Sequence, residues 1–343
     1  MIELNVVKRI LPINNPLITT YTQHAHLLSI LSNYENSYGW IYSNYIQLYM
    51  NKNFKHNWGD FYFPFPYELR PSDTCKWILS QKINRDYVDA KWESIFHFAI
   101  ESINAGQYMH VMLNYYFVPF SERYLKMNLH HDILIYGYDM SRKTLYVSDF
   151  FKFGKYSSEE LSHSDLIRAY NAYNVTNNPD YLNKMIYLYS FNEKCDYKFD
   201  INNIINSIKS YLHGTIPEYW DLYNMENKDN IVFGMQIYET MNNYVAARIS
   251  YNPAELDLRP FQLLSDHKSM MRLRFRYLSE KGYYMASDSM INNLSEIEMQ
   301  MKKLINIILK CKISKDKTFK DKILNEINSI AKKEYDTLKA IVG

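Results

Sequence analysis

The 343-residue chain is long enough for two domains, and its 47% hydrophobic and 22% charged residues exclude a disordered polypeptide. A formal net charge of +2 is too balanced to make nucleic acid or an anionic membrane the main partner. Three cysteines, Cys75, Cys195 and Cys311, are odd in number and far apart, which points to a reduced, cytoplasmic setting rather than a disulfide framework.

No stretch approaches the roughly 18 uninterrupted apolar residues that span a bilayer, and residues 1–11 do not read as a signal peptide. In chain order, residues 22–50 predict one long helix, with Thr22 as its cap and Ala25, Leu27, Leu28, Ile30 and Leu31 opening an apolar run. Residues 51–66, rich in Asn, Phe, Pro and Trp, predict a loop, and Ser72 or Asp73 starts a short helix through Leu79. Trp92, Ile95, Phe96, Ala99, Ile100 and Ile103 then fall on one helical face, with Gly106 as the stop and His97 beside the stripe. Three β-branched and aromatic runs follow, at 110–118, 131–138 and 144–148, the last two joined as a hairpin through 139–143. Ser162 with Asp165 is a capping box that opens a helix through Tyr170. Beyond about residue 195 the strand texture fades, and helices are expected over 201–212, 231–244, 260–278, 290–309 and 320–341. In the last, Ile323, Ile327, Ile330 and Tyr335 share an apolar side. The order predicts an α+β first domain, residues 1–195, and an α-helical second domain, 196–343.

The chemistry rests on the hairpin. His131 opens one strand and Asp149 ends the next, and antiparallel pairing brings those ends together. A carboxylate beside an imidazole fixes its tautomer and makes it a proton carrier, as in cysteine- and serine-type acyl transfer. Two polar residues at strand ends need no such role, so spacing leaves both readings open. His130 is adjacent, but side chains alternate along a strand, which turns it away from Asp149.

The segment HDILIYGYDMSRKTLYVSDF at 131–150, followed by FGKYS and a helix, resembles the butirosin biosynthesis protein H family. The stretch RPFQLLSDHKSMMRLRFRYL at 259–278 resembles the helical region that accompanies that domain. The resemblance implies a papain-like, cysteine-peptidase-type fold followed by an α-helical domain. It implies an acyltransferase of small-molecule, antibiotic-type biosynthesis. An acyl group passes from a carrier-protein thioester to an active-site cysteine and then to an amine, forming an amide. By the same resemblance His131 is the base and Asp149 its orienter. The implied partners are an acyl or peptidyl carrier protein and a small amine, with no nucleic acid and no membrane. The protein needs no cofactor of its own, the substrate arriving on the carrier's phosphopantetheine.

The chain departs from that pattern where the nucleophile belongs, at the start of the first long helix. The region Thr20–Leu28 holds no cysteine. Three explanations stand: Ala25 replaces a cysteine through an engineered Cys→Ala change, the protein is a natural pseudoenzyme, or another residue attacks. The first is preferred, since Ala25 is the smallest side chain in that turn. Cys75 is the rival, at a predicted helix start with Lys76 beside it. Metal catalysis is set aside: His24 and His26 are two apart and His110 and Asn114 four apart, but neither HExxH nor Cys-x-x-Cys occurs, and His130 and His131 cannot both face one metal from a regular strand. Lys268, Arg272 and Arg276 form a basic stripe that either docks an acidic carrier or faces solvent. Asp266 and His267 just before Lys268 are a second polar pair. A peptidase on the same fold and a non-enzymatic binding module remain the competing functions.

Overall fold

The hairpin through 139–143 is the middle of a seven-stranded sheet in which every pairing is antiparallel. The computed structural model describes residues 7–54, 59–63, 70–173, 182, 184–215 and 228–342. They form two compact units, residues 1–37 with 70–196, and 38–69 with 197–343. The boundary expected between 195 and 196 falls one residue later. Residues 38–69, expected in the first domain, belong to the second.

In the first unit the strand His130–Asp139 is central. Along one edge it pairs first with Tyr108–Asn114 and then, where that strand ends, with Lys8–Ile10; along the other lies Thr144–Lys152. Beyond these run Lys155–Ser162 on one side, and Met185–Phe191 and Ile78–Asn84 on the other. The strand Thr144–Lys152 runs past Asp149, so that residue is interior rather than terminal. Helices Ile95–Asn104 and His163–Asn171 form as expected, the first starting after Trp92, which ends the preceding helix Arg85–Lys91. Ser94 accepts from the His97 amide, Ser162 from that of Asp165, and Gly106 turns out of the first at φ +77°.

Two expectations fail for local and non-local reasons. The helix expected over 22–50 stops at Leu31 and is followed by the short helix Tyr38–Ser43 and the strand Leu48–Asn51. Side chains end it: Ser32 donates to the Leu28 carbonyl, Asn33 to those of Ser29 and Ile30, and Ser37 to that of Leu31. Such bonds give the backbone an alternative to continued helix. The helix expected from Ser72 to Leu79 is only Pro71–Thr74, and Ile78 onward is strand because Ile78 pairs with Phe191, far along the chain. The expected loop at 51–66 holds the strand Gly59–Phe61; its residues 55–58 and 64–66 lie outside the described residues.

The second unit is helical as expected, with Ile201–His213, Ile237–Tyr251, Arg259–Glu280, Asp288–Ser314 and Phe319–Val342. The helix expected over 231–244 begins instead as a strand, Ile231–Phe233, which joins Leu48–Asn51 and Gly59–Phe61 in a small sheet. Gly234 makes the turn at φ +54°, where a Cβ would lie 1.9 Å from the Tyr211 carbonyl oxygen. Ile323, Ile327 and Ile330 are buried, but Tyr335 is 38% exposed and Glu334 takes the inward place.

That inward Glu334 changes the reading of the basic stripe. Lys268 is buried, with Nζ 2.7 Å from both Glu334 oxygens, and Arg272 pairs with Glu298 at 2.5 Å. Two of the three cations are therefore already partnered within the unit, which corrects the docking alternative. Asp266 accepts from Gln262, and His267 donates Nε2–H to the Ile46 carbonyl while its Nδ1 accepts from Lys268. The buried Arg274 guanidinium donates to the carbonyls of Tyr42, Asn44 and Tyr45. These bonds, with the strand pairing, place 38–69 in the helical unit.

Burial holds the His267 imidazole well below its usual pKa, and the Lys268 charge acts the same way. The unfolded chain binds a proton below about pH 6.5 that the folded one refuses, so stability is lost as pH falls. Wild type should lose about 1.4 kcal/mol per pH unit relative to His267→Asn once well below that pH. Urea unfolding of both proteins between neutral and mildly acid pH checks this; parallel curves would show that His267 does not titrate between the folded and unfolded states.

Candidate active site

The first unit brings together the expected pair. His131 Nδ1 lies 2.8 Å from Asp149 Oδ2. Extending the strand register by one residue from Leu134 opposite Ser148 places Asp149 opposite Ile133, a diagonal neighbour of His131. Tyr115 sets its ring 5.1 Å from the imidazole, tilted by 47°, and donates its hydroxyl to the same Asp149 oxygen. Asp149 is fully buried, and Oδ1 has no hydrogen-bond partner among the described residues. The His131 side chain keeps 33% of its surface open. His130 packs 4.8 Å from the Tyr173 ring, ring centre to ring centre.

Beside the dyad lies a carboxylate that sequence reasoning missed. Asp132 is 2% exposed in its side chain and accepts at both oxygens. Oδ1 takes the Thr22 hydroxyl at 3.0 Å; Oδ2 takes His110 Nε2 at 2.5 Å and has His26 Nε2 at 3.7 Å. His131 Nδ1 is 3.6 Å from Oδ1 and 3.1 Å from the Asp132 carbonyl oxygen. The Tyr115 hydroxyl oxygen lies 3.2 Å from that carbonyl too. The outer nitrogens of the two buried imidazoles meet phenols, His26 Nδ1 with Tyr156 at 2.8 Å and His110 Nδ1 with Tyr189 at 3.0 Å.

Charge follows from these contacts. Burial disfavours an ionised Asp132, but the His110 hydrogen bond and the surrounding imidazoles prevail and hold its carboxyl well below the usual range. Burial keeps His26 and His110 neutral, lowering both against the pull of Asp132. At His131 burial also opposes the charge, yet Asp149 and Asp132 outweigh it and raise the imidazole to about 10. Burial raises the Asp149 carboxyl above its usual range against the opposing pull of His131.

The helix Thr22–Leu31 reaches this cluster with its first turn. Thr22 is its first residue, and Tyr21 before it makes no side-chain cap. Thr22 thus spends its hydroxyl on Asp132 rather than on capping, contrary to the sequence reading. Ala25 lies one turn further in and is 0% exposed, closed to any substrate in this conformation. The residue at the helix start, Thr22, reaches Asp132, whose Oδ1 also lies 3.6 Å from His131 Nδ1. Cys75 sits at the end of Pro71–Thr74, 3% exposed, with burial pushing its thiol pKa strongly upward. That is the opposite of an activated nucleophile. Cys195 is half-buried and Cys311 belongs to the helical unit.

The signals for the missed residues were weak. Asp132 interrupts the otherwise apolar run ILIY at its start, and His26 and His110 sit inside apolar segments. A buried polar residue at such a position must find a partner, but sequence does not say which. The chain matches no known protein-family model and no curated protein sequence. No helix among the described residues is long and apolar enough to cross a membrane.

Asp132→Ala should destabilise the protein by about 3–5 kcal/mol in urea unfolding, since it strips a buried hydrogen-bonded network of the carboxylate that Thr22 and His110 share. A loss below about 1 kcal/mol would show that Thr22 and His110 have other partners. Cys75 should resist iodoacetamide in the folded protein, with Cys195 labelled first and Cys75 labelled only on unfolding; peptide mapping reads the order.

Proposed function

We propose that the sheet-bearing unit is a papain-like acyl-transfer domain that forms amide bonds, moving an acyl group from a carrier-protein thioester to a small amine. The observation that carries this reading is the 2.8 Å contact between a partly open His131 and a buried Asp149, beside the first turn of the helix Thr22–Leu31. With Nδ1 held by Asp149, Nε2 of His131 is left to carry protons. The first-turn N–H groups of the helix favour negative charge developing on an acyl oxygen.

In this reading position 22, not 25, receives the acyl group. Thr22 Oγ1 attacks the acyl carbon and its proton passes to Nε2 of the neutral His131, the form that the raised pKa confines to alkaline pH. The C–S bond breaks and the pantetheine sulfur leaves as a thiol with that proton. An amine then attacks the ester carbon, the C–N bond forms as the C–O bond to Thr22 breaks, and the amine proton passes through His131 to the departing Thr22 oxygen. A hydroxyl is a weaker nucleophile than a thiolate. That difference supports the alternative of a non-enzymatic module that presents the same cleft to a carrier or ligand.

The test uses intact-mass measurement with short- and medium-chain acyl-pantetheine thioesters. Thr22→Cys should gain the acyl mass and release it to a primary amine, and adding His131→Ala should slow this by about 10²–10⁴-fold. Ala25→Cys should stay unmodified because that position is fully buried. Acylation at position 25 but not 22 would restore Ala25 as the nucleophile's place. If neither cysteine is acylated, the transferase reading falls and the binding module takes its place.

A further inference from the structure

We propose that His26, His110 and Asp132 form a binding site for one divalent transition-metal ion of the zinc class. Their contributions come from three separate elements, the helix Thr22–Leu31 and the strands Tyr108–Asn114 and His130–Asp139. One ligand atom from each lies within 4.8 Å of the others. All three residues are buried. The inference rests on this geometry and not on the acyl-transfer reading.

Hydrogen bonding alone leaves the cluster incomplete. His26 Nε2 is buried and without a hydrogen-bond partner among the described residues, though it points at Asp132 from 3.7 Å. If that nitrogen carries the proton, the bond is too long to form. If Tyr156 takes the proton of Nδ1 instead, the Nε2 lone pair confronts a carboxylate. A cation between Nε2 and Oδ2 removes the conflict in the second case, where the tautomer is already that of a ligand.

The outer contacts suit such an ion. A metal-bound imidazole ordinarily gives its other N–H to an acceptor that fixes its orientation. Tyr156 stands at His26 Nδ1 and Tyr189 at His110 Nδ1, and a phenol can accept as readily as donate. Arg70 also reaches His110 Nδ1, at 3.5 Å, and would release that contact when the nitrogen is protonated. Thr22 holds Asp132 Oδ1, leaving Oδ2 for the ion. Bonds of about 2.0–2.1 Å in a tetrahedron separate ligand atoms by roughly 3.3 Å. The present 3.7 Å and 2.5 Å contacts to Oδ2 straddle that value, so binding asks His110 to open its contact and give up its Nε2 proton.

Two imidazoles and one carboxylate select zinc, or its cobalt and iron relatives, over calcium and magnesium, which prefer all-oxygen shells. The fourth position falls to a water or a substrate heteroatom, as in zinc sites that keep one open place.

The experiment loads the full-length protein with Zn²⁺ or Co²⁺, dialyses it and measures bound metal, thermal midpoint and Co²⁺ visible absorption. Wild type and the surface control His97→Ala should each hold about one equivalent, with a raised midpoint and tetrahedral-type Co²⁺ bands. His26→Gln and His110→Gln should hold less than a tenth of that while remaining folded by circular dichroism. X-ray absorption of the Zn²⁺-loaded wild type needs no variant. It should show nitrogen and oxygen neighbours with imidazole scattering and no sulfur. Absence of retained metal, sulfur in the first shell, or full binding by both glutamine variants would overturn the site.

Discussion

A carboxylate with almost no solvent has to be surrounded by donors, and Asp132 sets this condition for the whole first unit. Its two oxygens collect a helix-start hydroxyl and a strand imidazole, with a second imidazole close by. These groups come from residues 22, 26, 110 and 132, so the helix and two strands are fixed against one another by one charge. Hydrophobic burial in the same unit is extensive, with Leu27, Leu28, Val111, Ile133 and Val147 all buried, but it is non-directional. Directional bonds to one buried anion choose a single arrangement among the many that would bury those side chains.

The dyad depends on that arrangement. His131 immediately precedes Asp132, and its Nδ1 is drawn by the Asp132 carbonyl as well as by Asp149. Tyr115 links the two carboxylate residues, its hydroxyl donating to the Asp149 side chain and lying 3.2 Å from the Asp132 carbonyl oxygen. The outcome is an imidazole held from below by buried acceptors while its other edge meets solvent. Such layering, a fixed polar base beneath an accessible proton carrier, gives a chemical group orientation without closing it off.

The helical unit solves the same problem separately. Lys268 and Glu334 are buried together with Tyr211 and Tyr238, each phenol bonded to the carboxylate. Arg274 satisfies three carbonyls at the end of a short helix. Buried charges here act as clasps between distant stretches of chain, and removing one partner would leave the other uncompensated. Their value lies more in specifying which segments meet than in net stability.

Local pattern was sufficient wherever a structure is made by neighbours in sequence. The face formed by Ile95, Phe96, Ala99, Ile100 and Ile103, the Ser162 capping box, the 139–143 hairpin and four of the five C-terminal helices were legible for that reason. So was the meeting of His131 with Asp149, because a hairpin fixes its own register. The sequence could not disclose that Ile78–Asn84 is a strand, since its partner lies at 185–191. Lys155–Ser162 escaped notice because a polar edge strand lacks the apolar alternation of a half-buried one. Helix Thr22–Leu31 ended early through side-chain bonds that periodicity does not record. Tertiary structure alone decided that the Thr22 hydroxyl meets Asp132, that Lys268 is clasped by Glu334, and that His26, His110 and Asp132 converge. Each of these depends on where a side chain points after distant elements have packed, and that direction is set by burial and hydrogen-bond satisfaction across the fold rather than by spacing along the chain.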